Sequence, residues 1–249
     1  MPIIAIPPSH PRAQSLHFRE ALVDGYRSGI VALEGLIAHG RGEAFDYLLG
    51  EKTTPSAQRA IKVAAASLLA AKHPVISVNG NAAALCARDL VKLAEIVGAK
   101  IEVNLFYRTA QREQTIRNVL EQNGARGVLG EGERANAKIP ELQSERRRVD
   151  AKGILVADTV FVPLEDGDRT EALVRMGKKV IAVDLNPLSR TACMAQISII
   201  DNIVRVLPAM INFAKDLKNT KSELQTFICE FDNKSNLEES LARIRGGLT

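Results

Sequence analysis

From residue 74 onward, short apolar runs alternate with segments of helical period. This alternation restricts what the chain can fold into. PVISVNGN (74–81), KIEVNLFYR (100–108), ARGVLGEG (125–132), TVFVPLE (159–165), KVIAVDLN (179–186) and ISIID (197–201) read as strands. Between and after them, residues 82–98, 109–124, 168–177 and 202–218 carry helical spacing, with Gly98 and Gly124 as stops and Thr109 as a cap. Strand, helix and strand in repetition predict a parallel sheet with right-handed crossovers. The strands are continuous apolar runs rather than strict alternations, as expected when helices cover both faces. The predicted fold is therefore α/β: a Rossmann-like, mostly parallel sheet between helices.

Before this region the chain reads as helical. A helix from Ser15 breaks near Gly25 and Gly29. HGRG follows as a Gly-flanked loop around Arg41 with a short helix after it. TPSAQRAIKVAAASLLAAK then forms a helix capped by Thr54 or Ser56. Residues 131–152 are charged and poorly periodic and read as a loop with a short helix. Residues 219–249 are polar with one late helix. The expected division is a single α/β domain over 1–218 and a C-terminal helical extension over 219–249.

Several function classes are excluded by what is absent. No Walker A sequence, no G-x-G-x-x-G after the first strand and no G-x-S-x-G elbow occurs. With 33 basic and 29 acidic residues the net charge is only +4, and 4% aromatic content without tryptophan offers no stacking platform for single strands. No nucleic-acid partner is expected. Cys86, Cys193 and Cys229 are too far apart for a metal or disulfide pattern, which fits a reducing cytoplasm. The longest apolar stretch, residues 63–71, is far short of a membrane span.

Two strand ends carry the same polar kit. VFVPLEDGDRTEA (160–172) and VIAVDLNPLSRTA (180–192) each place Asp at or after the strand and Arg-Thr where a helix can begin. Open α/β sheets bind phosphorylated ligands at such strand ends, where free helix N–H groups favour anions. Arg190 adds a planar fork for phosphate oxygens. Asp184 can accept from a ribose hydroxyl or an adenine amine. Glu165, Asp166 and Asp168 supply hard oxygens for Mg²⁺, while Arg169 and Thr170 can face a phosphate. Plain caps and turns explain the same residues without a ligand. Arg41 between glycines, His39, and Asn79-Gly80-Asn81 at a strand end are further binding candidates. The run Glu145-Arg146-Arg147-Arg148 reads as a solvated face.

Taken together, IPPSHPRAQSLHFREALVDGYRSGI, GLIAHGRGEAFDYLLGE, PVISVNGNAAAL, KIEVNLFYRT, VPLEDGDRTEALVRMGKKVIAVDLNPLSRTA and ISIIDNIVRVLP resemble the archaeal phosphopantothenate synthetase (4-phosphopantoate–β-alanine ligase) family over residues 3–218. The resemblance implies a homodimeric enzyme with a Rossmann-like core. It implies ATP-dependent activation of 4-phosphopantoate as an acyl-adenylate and capture by β-alanine, with AMP and pyrophosphate released, in coenzyme A synthesis. It places ATP contacts on Arg19, Arg41, Asp184, Leu185, Asn186, Arg190, Thr191, Asp201 and Asn202. Our further expectations are Arg41 at the reacting phosphates, Asp168 and Arg169 beside it as catalytic candidates, and Asp166 with Asp168 on Mg²⁺. Asp168 or Glu165 would deprotonate β-alanine. His39, Asn79, Asn81 and Thr170 would hold 4-phosphopantoate. The rival readings are a dinucleotide- or nucleotide-sugar-dependent enzyme on the same kind of sheet, and a non-catalytic nucleotide-binding regulator.

Overall fold

The computed structural model describes residues 7, 9, 10, 12–164, 166–220, 222 and 224–247; Glu165 lies outside them. Three helices come first: α1 (Ala13–Arg27), α2 (Leu33–Leu49) and α3 (Pro55–Ala70). The alternating region supplies β1 (Pro74–Val78), α4 (Gly80–Val97), β2 (Lys100–Val103) and α5 (Ala110–Gln122). The two-residue strands β3 (Ala137–Lys138) and β4 (Arg148–Val149) pair antiparallel. Next come β5 (Thr159–Val162), α6 (Gly167–Arg175), β6 (Lys179–Val183), α7 (Arg190–Met194), β7 (Ile197–Ile199) and α8 (Ile203–Leu217). The C-terminal helices are α9 (Leu224–Cys229) and α10 (Asn233–Arg245).

Five strands form one parallel sheet in the order β2-β1-β5-β6-β7. The expected alternation of strand and helix is thus present. Successive strand residues point to opposite faces, and both faces are covered. Ile76, Val78, Phe161, Ile181 and Val183 pack with α3, α4 and α8. Val75, Val160, Val162, Val180 and Ala182 pack with α6 and residues 139–157. The chain leaves β1 toward β2 but leaves β5 toward β6. The strand order therefore reverses between β1 and β5, and a crevice opens beyond their carboxyl ends.

The local signals work as expected in most places. Thr54 Oγ1 accepts from Ala57 N at 3.2 Å, Thr109 caps α5, and Gly98 ends α4 at φ 70°. Two expectations fail. Residues 125–132 form no strand; Leu129 makes one parallel bridge to Glu102 at the β2 edge. Arg41 does not sit in a loop, because α2 runs unbroken through Gly40 and Gly42. A side chain at Gly42 would lie 3.6 Å from Leu185 Cδ1, and one at Gly40 would meet open space.

The C-terminal helices dock on this body. Asn233 Oδ1 accepts from Ser198 N at 2.9 Å, and Asn236 Nδ2 donates to Ser198 O at 2.8 Å. Side chains of α10 thereby satisfy the backbone of β7, the last strand of the sheet, which an open edge would leave unpaired. Lys62 Nζ of α3 stands 3.7 Å from the Phe227 ring centroid.

Candidate active site

The crevice is a cavity of about 610 Å³ walled by α2, the ends of β1, β6 and β7, and residues 105–107. That size suits a drug-sized or nucleotide-sized ligand. His39, Arg41, Asn79, Asn81, Asp184, Leu185, Asn186, Asp201 and Asn202 all line it. Residues separated by up to 163 positions in the chain thus meet because four strands of one parallel sheet end on the same side.

Two long helices begin at this cavity. Asn79 caps α4, its Oδ1 accepting from Ala82 N at 2.9 Å, and Asn202 caps α8. Asn79 is therefore both a turn residue and a wall residue. Asn81 Nδ2 donates to Gly35 O at 2.8 Å and so ties α4 to α2. Both helix N-termini place positive dipole ends against the same space.

At the β6 end, Asp184 Oδ1 accepts from Asn186 N at 2.9 Å, and its Oδ2 accepts from the Ser189 hydroxyl. Ser189 Oγ in turn accepts from Ala192 N at 2.9 Å and caps α7. The D-L-N-P turn is thus held by its own side chains. At the β7 end, Asp201 takes bonds from Thr53 Oγ1 at 2.6 Å and Arg205 Nε at 2.8 Å. Asn202 Nδ2 donates to Asp46 Oδ2 at 2.9 Å, and Arg205 also bonds Asp46. The Arg205 guanidinium, buried between two carboxylates that outweigh its desolvation, is raised in pKa. This network fixes the start of α8.

Other expected residues lie outside the cavity. Arg19 of α1 gives Glu43 of α2 a fork of bonds at 2.8–3.1 Å. Arg190 pairs with Asp168, both side chains more than half exposed. Thr191 is buried, its Oγ1 accepting from Asp166 N at 3.0 Å, so the two Arg-Thr loops do touch. Arg169 and Thr170 are fully buried. Arg169 Nε lies 2.8 Å from Asp166 Oδ2, and its Nη1 donates to Asn104 Oδ1 at 2.8 Å and to Ser77. Burial lowers its pKa to about 10, so it stays charged near neutrality. Asp166 also pairs with Arg146. A carboxylate held between two guanidinium groups is poorly suited to a metal, and no cluster of three or more possible metal ligands occurs among the described residues. The geometry does not support Mg²⁺ on Asp166 and Asp168.

Two wall residues were missed. Arg146, read as part of a solvated run, lines the cavity with its side chain only 12% exposed. Arg112 of α5 lines it too. Neither carries a sequence motif; their position depends on how residues 104–150 fold back over β2. Asn104 Nδ2 donates to the carbonyls of Arg146 and Arg148 at 3.1 and 3.2 Å, and Arg108 Nη1 to that of Arg148 at 2.9 Å.

Glu102 anchors the same fold-back. It is fully buried and accepts from Asp150 N at 3.0 Å and Ile154 N at 2.6 Å. Burial pushes its carboxyl up to about 7, against those two donors. An acid whose folded pKa exceeds its unfolded value of about 4.3 binds its proton more tightly when folded. Stability should therefore fall as pH rises from about 4.3 to about 7, by at most on the order of 4 kcal/mol, and level off above. Urea midpoints at pH 5 and pH 8 should differ in the native protein. The difference should shrink in Glu102→Gln; an equal difference in both would assign it to other groups.

Residues 56–247 match the phosphopantothenate/pantothenate synthetase family. The chain belongs to this family. Members of the phosphopantothenate/pantothenate synthetase family resemble it over nearly their whole length. A Thermococcus kodakarensis protein is 52% identical over 249 residues, covering 99% of this chain and 95% of that one. One from Methanosarcina mazei is 52% identical over 241 residues (96% and 94%), and one from Methanospirillum hungatei 50% identical over 240 residues (96% and 96%). Each bears the name 4-phosphopantoate–β-alanine ligase. The match extends through α10, so the C-terminal helices belong to the shared part of the family, contrary to the sequence reading that ended the resemblance at residue 218.

Proposed function

We propose that this chain is a 4-phosphopantoate–β-alanine ligase acting in coenzyme A synthesis. The observation that carries the reading is a crevice lined by three arginines and two helix N-termini in a chain half identical to proteins of that name. Arg41, Arg112 and Arg146 and the N-termini of α4 and α8 line one cavity. The two substrates that must meet there, ATP with its Mg²⁺ and 4-phosphopantoate, are both polyanions. Their repulsion has to be offset by fixed positive groups before reaction.

A carboxylate oxygen of 4-phosphopantoate attacks the α-phosphorus of ATP, and pyrophosphate leaves. The amine of β-alanine then attacks the carbonyl of the acyl-adenylate, loses a proton and displaces AMP. A carboxylate nucleophile needs no base, so in-line positioning supplies much of the rate of the first step. The nucleoside is assigned to the β6 and β7 ends, where Asp184, Leu185, Asn186, Asp201 and Asn202 lie, with Arg41 over the reacting phosphates. Arg190 and Thr191 follow directly after Ser189 of that wall; ATP reaches Arg190 once its pair with Asp168 opens. Burial lowers the His39 pKa, and its ring stands where it can hydrogen-bond a substrate hydroxyl or amine. Asn79 and Asn81 stand at the 4-phosphopantoate end.

Pyrophosphate release should require 4-phosphopantoate, and AMP with 4'-phosphopantothenate should form on adding β-alanine. ATP binding without turnover in the presence of all three substrates and Mg²⁺ would return the chain to a regulatory role, and saturable nicotinamide binding to the dinucleotide class. A homodimer belongs to the same reading. It is supported by Leu33, Ile37 and Leu48, exposed along α2; sedimentation should give twice the chain mass of 27.1 kDa. A cytoplasmic site of action fits three free thiols. No helix among the described residues is long and apolar enough to cross a membrane.

A further inference from the structure

We propose that Asn233 is a positioning residue for the nucleotide end of the cavity. From the C-terminal helix α10 it holds the back of α7 and β7, the two elements whose front ends carry Arg190, Thr191, Asp201 and Asn202. This rests on the ligase reading above, which assigns the nucleoside to that end.

Both elements need outside support. α7 is five residues long, too short to persist on its own hydrogen bonds. Ser189 caps its N-terminus, but its last carbonyls have no donor within the helix. β7 is three residues long and has β6 as its one strand neighbour. Its middle residue, Ser198, is fully buried, so its backbone groups must find partners away from water.

Asn233 meets both needs with one amide, a group that offers an acceptor and two donors at once. Its Oδ1 accepts from Ser198 N at 2.9 Å. Its Nδ2 donates to Ala195 O at 2.9 Å and to Ala192 O at 3.3 Å, both at the end of α7, and to Ser198 Oγ at 3.1 Å. Ser198 Oγ in turn donates to Ala192 O at 2.6 Å, and Asn236 Nδ2 donates to Ser198 O at 2.8 Å. An apolar wedge backs these bonds: Leu237 and Ile244 of α10 pack in one cluster with Leu49, Ala192, Ile200 and Leu185. Leu185 lines the cavity itself, and Ile200 directly precedes Asp201 of the wall. α10 therefore stands immediately behind the nucleotide end. The acyl end, at Asn79 and Asn81, takes its bonds from α4 and α2 and shares none of these. A site is only as precise as the residues that lock its walls.

Calorimetric ATP binding, steady-state kinetics and thermal melts on the full chain test this. In Asn233→Ala, the Kd and KM for ATP should rise roughly tenfold, the cost of a wall displaced from behind. The KM values for 4-phosphopantoate and β-alanine should stay within about twofold, because their end is untouched. Glu239→Ala, on the exposed side of α10 where Glu239 pairs with Arg59, should match the native protein. A purely structural role would lower the melting temperature of Asn233→Ala and leave its ATP affinity at the native value; that result, or equal rises in all three KM values, would overturn the proposal. If Asn233→Ala fails to fold, Asn233→Asp decides: it keeps the acceptor for Ser198 N and sets a carboxylate against the α7 carbonyls, so ATP affinity should again fall. Native protein that binds ATP yet forms no product would sink the ligase reading while the binding comparison still judges Asn233. Native protein that binds no ATP would overturn both.

Discussion

Arg169→Met should destabilise the protein by about 3–5 kcal/mol, the range for breaking a buried ion pair from one side. Methionine keeps much of the side-chain length, so the loss is chiefly electrostatic. Asp166 would keep Arg146 but lose the partner that holds it from beneath, and Ser77 and Asn104 would each lose a buried donor. At about 2–4 °C per kcal/mol for a chain of this size, the melting temperature should drop on the order of 10 °C. Arg190→Met is the matched control: it removes an exposed ion pair with Asp168, worth at most about 1 kcal/mol. Similar melting temperatures for the two variants would show that the buried network carries no special share of stability.

Arg41→Ala should leave stability nearly intact and lower kcat/KM by about 10²–10³, the range for removing one preorganised donor to a developing charge. Alanine is the best residue for an α-helix interior, so α2 should persist. Circular dichroism and thermal melts check the fold, and pyrophosphate release checks the first half-reaction. A loss confined to KM for ATP, with kcat unchanged, would make Arg41 a ground-state contact and not one formed in the transition state. Activity within threefold of native would remove it from the reacting phosphates altogether.

These two arginines also show where sequence reasoning succeeds and stops. Arg41 drew attention because glycines flank it, and the structure does bring it to the cavity, though on a helix. Gly40 and Gly42 look like loop breakers from composition, but each costs a helix interior only about 1 kcal/mol and α2 runs through both. Arg169 was read as a phosphate ligand from its place after β5. One turn into α6 its side chain points under the sheet ends and becomes part of the core. Arg and Thr at a helix start can face the ligand or the core, and only helix rotation separates the two.

Arg146 stands in a run of three arginines that would ordinarily face water. It is turned inward by carbonyl contacts from Asn104 and Arg108, which themselves follow β2. Arg112 lies in the first turn of α5, where nothing in the local sequence marks it. Contacts across 42 and 82 positions set the two residues, so no window of sequence contains the cause.

The sequence alone determined the parallel α/β sheet, because apolar runs of strand length alternating with helical periods leave few other ways to bury both faces. It also determined which strand ends are polar. The tertiary structure decided which of those polar residues share a cavity. Strand order places the reversal between β1 and β5, and this brings Asn79, Arg41, Asp184 and Asn202 together while Arg169 and Thr191 become buried struts beneath them. Side-chain period is local physics; which strands are neighbours, and what folds back over their ends, is settled by packing across the whole chain.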